Sequence, residues 1–238
     1  MRILTYNIHG AIGTDGHRDY ARISRLLEGH EIDIALIQEM DTRPKRKFAA
    51  VDISVLAGGR FPFIAEGPTI STSLGWYGNA ILSRFPLRNT NVIDVSHAGR
   101  EPRNILETFA QTPDGPLHIL NTHKGLKSVE RGFQLRKLGE LLARKSDVPL
   151  IVGGDLNEWH SASIALRKLE EYLVPLKCGA TFPTRFPLFS LDRMWCRPQG
   201  LLKSARVLKT KETRVFSDHY PLIAELDVTA LRSLAAGS

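Results

Sequence analysis

Short apolar runs alternate with segments of helical periodicity along this chain, and most of the apolar runs end in a polar residue. Residues 2–7 (RILTYN) predict a strand. Between 19 and 28, Tyr20, Ile23, Leu26 and Leu27 fall on one helical face, and Gly29 supplies a stop. The run 33–38 (DIALIQ) is too short for a buried helix and predicts a buried strand. Strands are expected over 79–83, 104–110 and 117–122, the last two joined by a turn at Pro113, Asp114 and Gly115. Leu135, Leu138 and Leu142 stripe the longest helical pattern, 128–145, and 149–153 is another buried strand. A helix over 161–173 and strands over 191–196 and 222–227 complete the reading, while 48–56 fits either type with helix preferred. Several strands follow one another through turns rather than helices. That order points to a mixed α/β fold with antiparallel pairs rather than a doubly wound sheet.

The 238 residues, 42% hydrophobic, suffice for a core without staples and exclude a disordered chain. No repeat or linker divides them, so one catalytic-type domain is expected over 1–228 with a C-terminal tail at 229–238. The two cysteines, Cys178 and Cys196, make neither a disulfide framework nor a four-ligand zinc site, and read as small buried apolar residues. No apolar run approaches a membrane span, and MRILTYN opens as a strand rather than a signal peptide. A cytoplasmic monomer is expected. Lys plus Arg outnumber Asp plus Glu by 32 to 25, a net +7. Part of the excess clusters at Arg43, Lys45, Arg46 and Lys47, and more loosely at Lys203, Arg206, Lys209, Lys211 and Arg214. Such a field favours polyanions, either nucleic acid or an anionic lipid surface, though it equally serves solubility.

Polar residues recur at the downstream ends of the expected strands. Asn7 ends the first and Glu39 the second; His123 follows LHILNT, Asp155 and Asn157 follow PLIVGG, and Asp218 and His219 precede the last strand. Ligand sites in open α/β sheets gather outside the carboxyl ends of strands. Each residue alone has an ordinary explanation: a turn cap for Asn7, a pairing with Arg43 or Lys45 for Glu39, an Asx turn over 155–157. The combination is more specific. TYNIH (5–9), LIQEMD (36–41), GNAILSRFPL (78–87), NTH (121–123), GGDLN (153–157) and SDHYPL (217–222) occur in one order. Together they resemble the endonuclease/exonuclease/phosphatase superfamily over nearly the whole chain, from Tyr6 to Leu226.

The resemblance implies a fold, a four-layer α/β sandwich of two mixed β-sheets packed face to face with helices on the outside. It also implies a chemistry: divalent-metal-dependent phosphodiester hydrolysis by in-line attack of water. That reaction needs a cation on the phosphate oxygens, an activated water and stabilisation of developing charge. Glu39 matches the principal metal ligand, with Asn7 and Asp218 supplying further oxygens. These hard donors suit Mg²⁺ or Mn²⁺. Asp155 matches the aspartate that orients or deprotonates water, and Asn157 positions the water or the phosphate. His219 matches the phosphate-contacting histidine, sometimes written as the base, and Asp192 its carboxylate partner. His123 matches a second histidine that donates to phosphate or leaving oxygen.

Arg84 and Arg103 are expected in structural ion pairs, and Trp76 and Tyr77 in the core. Trp159 and His160 line the cleft or pack beside it. His9, His17, His30, His97 and His118 carry no ligand spacing. Departures from the family's branches bear on substrate. Glu39 is followed by Met40 and Asp41 rather than the ETK-like segment of abasic-site nucleases, and His123 stands where those carry tyrosine. Lys124, with Lys127 and Arg131, places extra positive charge beside the proposed site. Nucleic acid is therefore the first expectation for substrate, a phospholipid or small phosphate ester the second, and an inactive binding domain the last. A basic groove along the cleft rim would favour the first. An exposed apolar loop near Trp76 or over 186–189 would favour the second.

Overall fold

The computed structural model describes residues 1–45, 47–144, 147–160 and 163–236. In chain order the elements are β1 (Arg2–Asn7), α1 (Tyr20–Gly29), β2 (Ile34–Asp41), α2 (Ser54–Ala57), β3 (Phe63–Thr72), β4 (Gly75–Ser83) and β5 (Leu87–Asp94). There follow β6 (Asn104–Thr112), β7 (Gly115–His123), α3 (Ser128–Leu142), β8 (Leu150–Asp155), α4 (Ile164–Leu169) and β9 (Val174–Pro175). The last are β10 (Asp192–Arg197), β11 (Leu202–Val207), α5 (Thr213–Phe216), β12 (Leu222–Leu226) and α6 (Val228–Ala236).

The strands form two six-stranded sheets, in the orders β11-β12-β1-β2-β4-β3 and β5-β6-β7-β8-β10-β9. Each contains one parallel pair, β1 with β2 and β7 with β8, bridged in sequence by α1 and α3. The remaining pairs are antiparallel, and the last strand lies beside the first, with Arg2 opposite Glu225.

The layering follows from the two-residue alternation of the central strands. In β1, Ile3 turns to the interior between the sheets, while Leu4 and Tyr6 turn outward beneath α1 and α2. Ile34 and Leu36 in β2 face inward, and Ala35 and Ile37 outward. On the second sheet Ile119 and Ile151 face inward, and Leu120 and Val152 pack under Leu135, Leu138 and Leu142 of α3. Three apolar layers thus cement helices, sheet, sheet and helices, the α/β sandwich that the resemblance implied. Each fully buried Leu or Ile contributes roughly 1.5–3 kcal/mol to that cement.

The structure differs from the expected elements in places. Over 48–56 the preferred helix shrinks to the single turn of α2, because Asp52 accepts from Ser54 N–H and starts it late. The helix over 161–173 is confined to α4, opened by Ser163, whose side chain accepts from Leu166 N–H; 161 and 162 lie outside the described residues. The helix over 128–145 ends at Leu142, and 145 also lies outside them, as does Arg46 of the basic cluster. The segment taken as a tail forms α6, whose buried Leu231 joins the inter-sheet core, up to 236. Asp227 starts it by accepting from Thr229 and Ala230 N–H. Strands β3, β5, β9 and β11 were not expected, and they are the four outer strands of the two sheets.

Candidate active site

The carboxyl ends of the parallel pairs open on one edge of the sandwich, and the antiparallel strands β10 and β12 begin there. Asn7 is the last residue of β1, His123 of β7 and Asp155 of β8, while Asp192 is the first of β10, opposite Asp155. Asp218 and His219 lie shortly before β12, with Tyr220 and Pro221 between. Glu39 is placed differently. The pairing of β2 with β4 shifts between Ile37 and Met40, and Glu39 there adopts φ +56°. This bulge turns its carboxylate out of the sheet's alternation and into the cleft. Gly153 and Gly154 let β8 approach its neighbours: a Cβ at Gly153 would stand 2.9 Å from Leu36 Cδ2, and one at Gly154 1.8 Å from Thr122 O.

These positions converge. Asn7 Nδ2 donates to Glu39 Oε1 at 2.9 Å and to Asp155 Oδ2 at 3.0 Å, a bond that crosses from one sheet to the other. The Asn7 oxygen accepts from His9 N–H. Asp155 divides its two oxygens. Oδ1 accepts from Asn157 N–H at 2.9 Å, so the Asx turn expected as an ordinary explanation is present. Oδ2 faces the cleft, 3.6 Å from His123 Nε2 and 3.7 Å from His219 Nε2. Asn157, at φ +47°, donates to Lys124 O and lies 3.2 Å from His123 Nε2. His219 Nδ1 bonds Asp192 Oδ2 at 2.8 Å, and Asp192 is fully buried. Ser217 fixes the last segment by donating from its hydroxyl to Asn7 O. Seven of the eight residues singled out from the sequence line one cleft of about 370 Å³; Asp192 stands behind His219.

Burial and charge set the protonation states. Burial pushes the Glu39 carboxyl up, and the charges of Asp155 and Asp218 add to that, against the Asn7 hydrogen bond and His9. Burial pushes His123 down to about 3, with Arg103 acting in the same sense, so its ring is neutral at pH 7. For His219 burial favours the neutral ring. The charges of Asp192 and Asp155 and the bond to Asp192 outweigh it and raise the group to about 10. The cleft therefore holds one neutral and one cationic imidazole. Asp155, Asp192 and His219 offer metal-ligating atoms within 4.8 Å of one another, and Glu39 and Asp218 present further carboxylates to the same cleft.

Other residues enter that the sequence reading placed elsewhere. Tyr77, expected in the core, lines the cleft, and Arg43 stacks over its ring. Arg103 makes the ion pair expected of it, 2.9 Å to Glu101, yet both residues also line the cleft. Arg84 does pair structurally, with Asp33. Trp159 lines the cleft and packs edge-on against Phe182 and Phe189; Phe182 in turn packs on His219. Nothing in the spacing of Phe182 marks it as a site residue. Lys124 corrects an expectation outright: its ammonium is buried and has no hydrogen-bond partner among the described residues, so it adds no charge to the surface. Burial lowers it to about 7, against the pull of Glu158. Arg131 is likewise drawn to Glu158, at 3.5 Å.

A model of the Endonuclease/Exonuclease/phosphatase family matches residues 4–219. An uncharacterized protein of Escherichia coli strain K12, YbhP, is 28% identical over 251 residues, covering 95% of this chain and 96% of its own. An endonuclease/exonuclease/phosphatase from Beutenbergia cavernae DSM 12333 has a similar solved structure: TM-score 0.77 at 20% identity, covering 95% of this chain and 71% of that one. A family protein from Leptotrichia buccalis C-1013-b gives a TM-score of 0.75 at 16% identity, covering 95% of this chain and 99% of its own. At these identities the structural likeness speaks for the fold, and the chemistry rests on the residues in the cleft.

Proposed function

The chain belongs to the endonuclease/exonuclease/phosphatase family, and from that premise we propose that it hydrolyses a phosphodiester with the help of Mg²⁺ or Mn²⁺. The observation that carries the reading is the Asn7 amide bridging Glu39 and Asp155 across the two sheets, with both histidines within 4 Å of Asp155. The donor set fits a hard cation. Glu39 and Asp218 are carboxylates, the Asn7 oxygen keeps a second lone pair, and no thiolate lies among the cleft residues. Burial, with the charges of Asp155 and Asp218 added, pushes the Glu39 carboxyl up, and a cation beside it would offset both. Asn7, Glu39 and Asp218 would hold the ion, which would polarise the phosphoryl oxygens and neutralise charge building on them.

The other residues handle water and protons. Asp155 Oδ2 faces the cleft and takes the proton of the attacking water. Asn157 orients that water or the phosphate. His219, kept cationic by Asp192, offers Nε2–H to a phosphate oxygen. His123, neutral, lies across Asp155 from it and contacts the phosphate or the leaving oxygen.

The rim bears on substrate. Nucleic acid was the first expectation because of the net charge, but the cleft's arginine, Arg103, is tied to Glu101. Lys124 is buried and Arg131 pairs with Glu158, so neither lends its charge to a groove. The second expectation, a phospholipid or small phosphate ester, gains from the exposed Phe186 and Leu188.

The test is hydrolysis of bis-nitrophenyl phosphate in Mg²⁺ or Mn²⁺, beside DNA, RNA and phospholipid vesicles. Turnover should require the ion and fall at least about a hundredfold in Glu39→Ala and His219→Ala. Full activity in either variant overturns the site.

A further inference from the structure

The segment 181–189 (TFPTRFPLF) forms a tight hairpin beside the cleft. Phe182 and Phe189 close it, with Leu188 and Phe189 N–H donating to Phe182 O, and Phe182 N–H to Phe189 O. The two closing rings turn inward onto Trp159, and Phe182 onto His219. The tip turns outward. Phe186 is 65% exposed and Leu188 72%, although a chain with a complete core has no packing reason to leave both in water. Leu126 lines the same cleft and is 62% exposed, with Val129 exposed one turn further on. Exposed cations stand next to each apolar point: Lys127 follows Leu126, and Arg185, stacked at 5.7 Å over the Phe186 ring, precedes it. Among the described residues neither has a carboxylate in ion-pair range.

The hairpin is also bolted to the catalytic segment. Thr184 N–H donates to Asp218 O at 2.9 Å, and its hydroxyl donates to Ser217 O. The Tyr220 hydroxyl donates to Thr184 O at 3.0 Å. Pro183 and Pro187 restrict the backbone further. Whatever the tip enters, Asp218 and His219 are held at a fixed height above it.

We propose that this hairpin, with Leu126 of the same cleft and its neighbour Lys127, docks the protein on an anionic phospholipid surface, and that the substrate is a phospholipid phosphodiester presented there. The occupant follows from chemistry. Aliphatic and aromatic tips are stabilised by entering the acyl boundary, and their neighbouring cations by anionic headgroups. A nucleic acid strand would gain little from Leu126, Val129 or Leu188, which cannot stack on bases as aromatic platforms do. The rest of the reaction is the hydrolysis already proposed, on which the substrate assignment rests. The water oxygen bonds to phosphorus, one ester P–O bond breaks, and the water proton ends on the departing alcohol.

The experiment uses the full chain and measures docking and turnover, with DNA binding and hydrolysis of vesicle phospholipid followed beside them. Sedimentation with vesicles of phosphatidylcholine, with and without phosphatidylglycerol, measures docking; bis-nitrophenyl phosphate turnover measures the site. Wild type should bind the anionic vesicles more tightly than the neutral ones. Phe186→Ser with Leu188→Ser should weaken binding by at least about tenfold and leave soluble-ester turnover unchanged. Lys127→Ala with Arg185→Ala should erase the preference for anionic vesicles. Hydrolysis of vesicle phospholipid should fall with binding in both variants. Wild type that ignores vesicles while turning over the soluble ester overturns the docking proposal, as does a hairpin variant that binds like wild type. Loss of DNA binding in the hairpin variant without any vesicle binding would transfer the surface to nucleic acid and also overturn it. Vesicle binding without turnover of any ester would instead sink the phosphodiesterase reading and leave docking standing.

Discussion

Asp192 has no contact with the open cleft, yet it governs the charge of the one cationic ring in it. His219 is raised to about 10 in the folded chain against about 6.5 unfolded. Its contribution to stability is therefore fully present below about pH 6.5 and is lost as pH rises through about 10. Asp192→Asn should lower the His219 titration, read by NMR, and flatten that alkaline loss. Turnover should fall by at least about a hundredfold while the variant stays folded; a variant that merely unfolds would mark Asp192 as structural. Lys124 has the opposite sign. With a folded value near 7 and an unfolded one near 10.5, the unfolded state binds more protons between those limits, so stability rises with pH across that window. Lys124→Met should remove this slope and raise the urea midpoint at pH 7, because a buried unpartnered ammonium is costly. The sequence made the strand-end acids, amides and histidines legible because their spacing follows the strands. It misled at Lys124, since a lysine's charge is visible in a sequence and its burial is not.

Among the elements, β2 stores conformational strain where the proposed chemistry needs a side chain aimed out of register. A left-handed backbone at a non-glycine residue costs about 1–2 kcal/mol, and Glu39 bears it at φ +56°. Two variants that lack the Glu39 carboxylate should therefore differ in stability. Glu39→Gly should unfold at higher denaturant than Glu39→Ala by about 1 kcal/mol; equal midpoints would show that the bulge relaxes once the carboxylate is gone. The elements that sequence reading missed share a position rather than a composition. Strands β3, β5, β9 and β11 each border water along one side, so none needs the continuous apolar run that reveals a central strand. β5 (LRNTNVID) is largely exposed, and β3 carries Gly67 and Pro68 beside its own bulge. Interior strands such as β2 and β8, covered on both faces, declared themselves. Even there the bulge was silent, because a register shift leaves no mark in hydrophobic periodicity.

At the scale of the whole molecule, the cleft sits on the seam between the sheets. Asn7, Glu39, Asp218 and His219 belong to the first sheet or its approaches, and His123, Asp155, Asn157 and Asp192 to the second. Behind them Gln38 Nε2 donates to Asn121 Oδ1 at 2.7 Å across the seam, and Asn121 Nδ2 donates back to Ile37 O and Ala80 O. Gln38→Leu would leave that buried oxygen unpaired, costing about 1–3 kcal/mol. Turnover should fall in the fully folded variant as well, because the two halves of the site lose their alignment; unchanged turnover at full folding would show that the seam is held elsewhere. The pairing of β1 with β12 and the Asn7–Asp155 bond join segments far apart in the chain, and such contacts form slowly, so activity should return only with the slowest refolding phase. The placement of the last strand beside the first carries this into the life of the chain. A ribosome delivers Asn7 and Glu39 early, but β1 waits for β12, and His219 emerges only just before it. A growing chain thus carries a half-built cleft until β12 has been made, and the two halves of the proposed site are held together only when that strand docks.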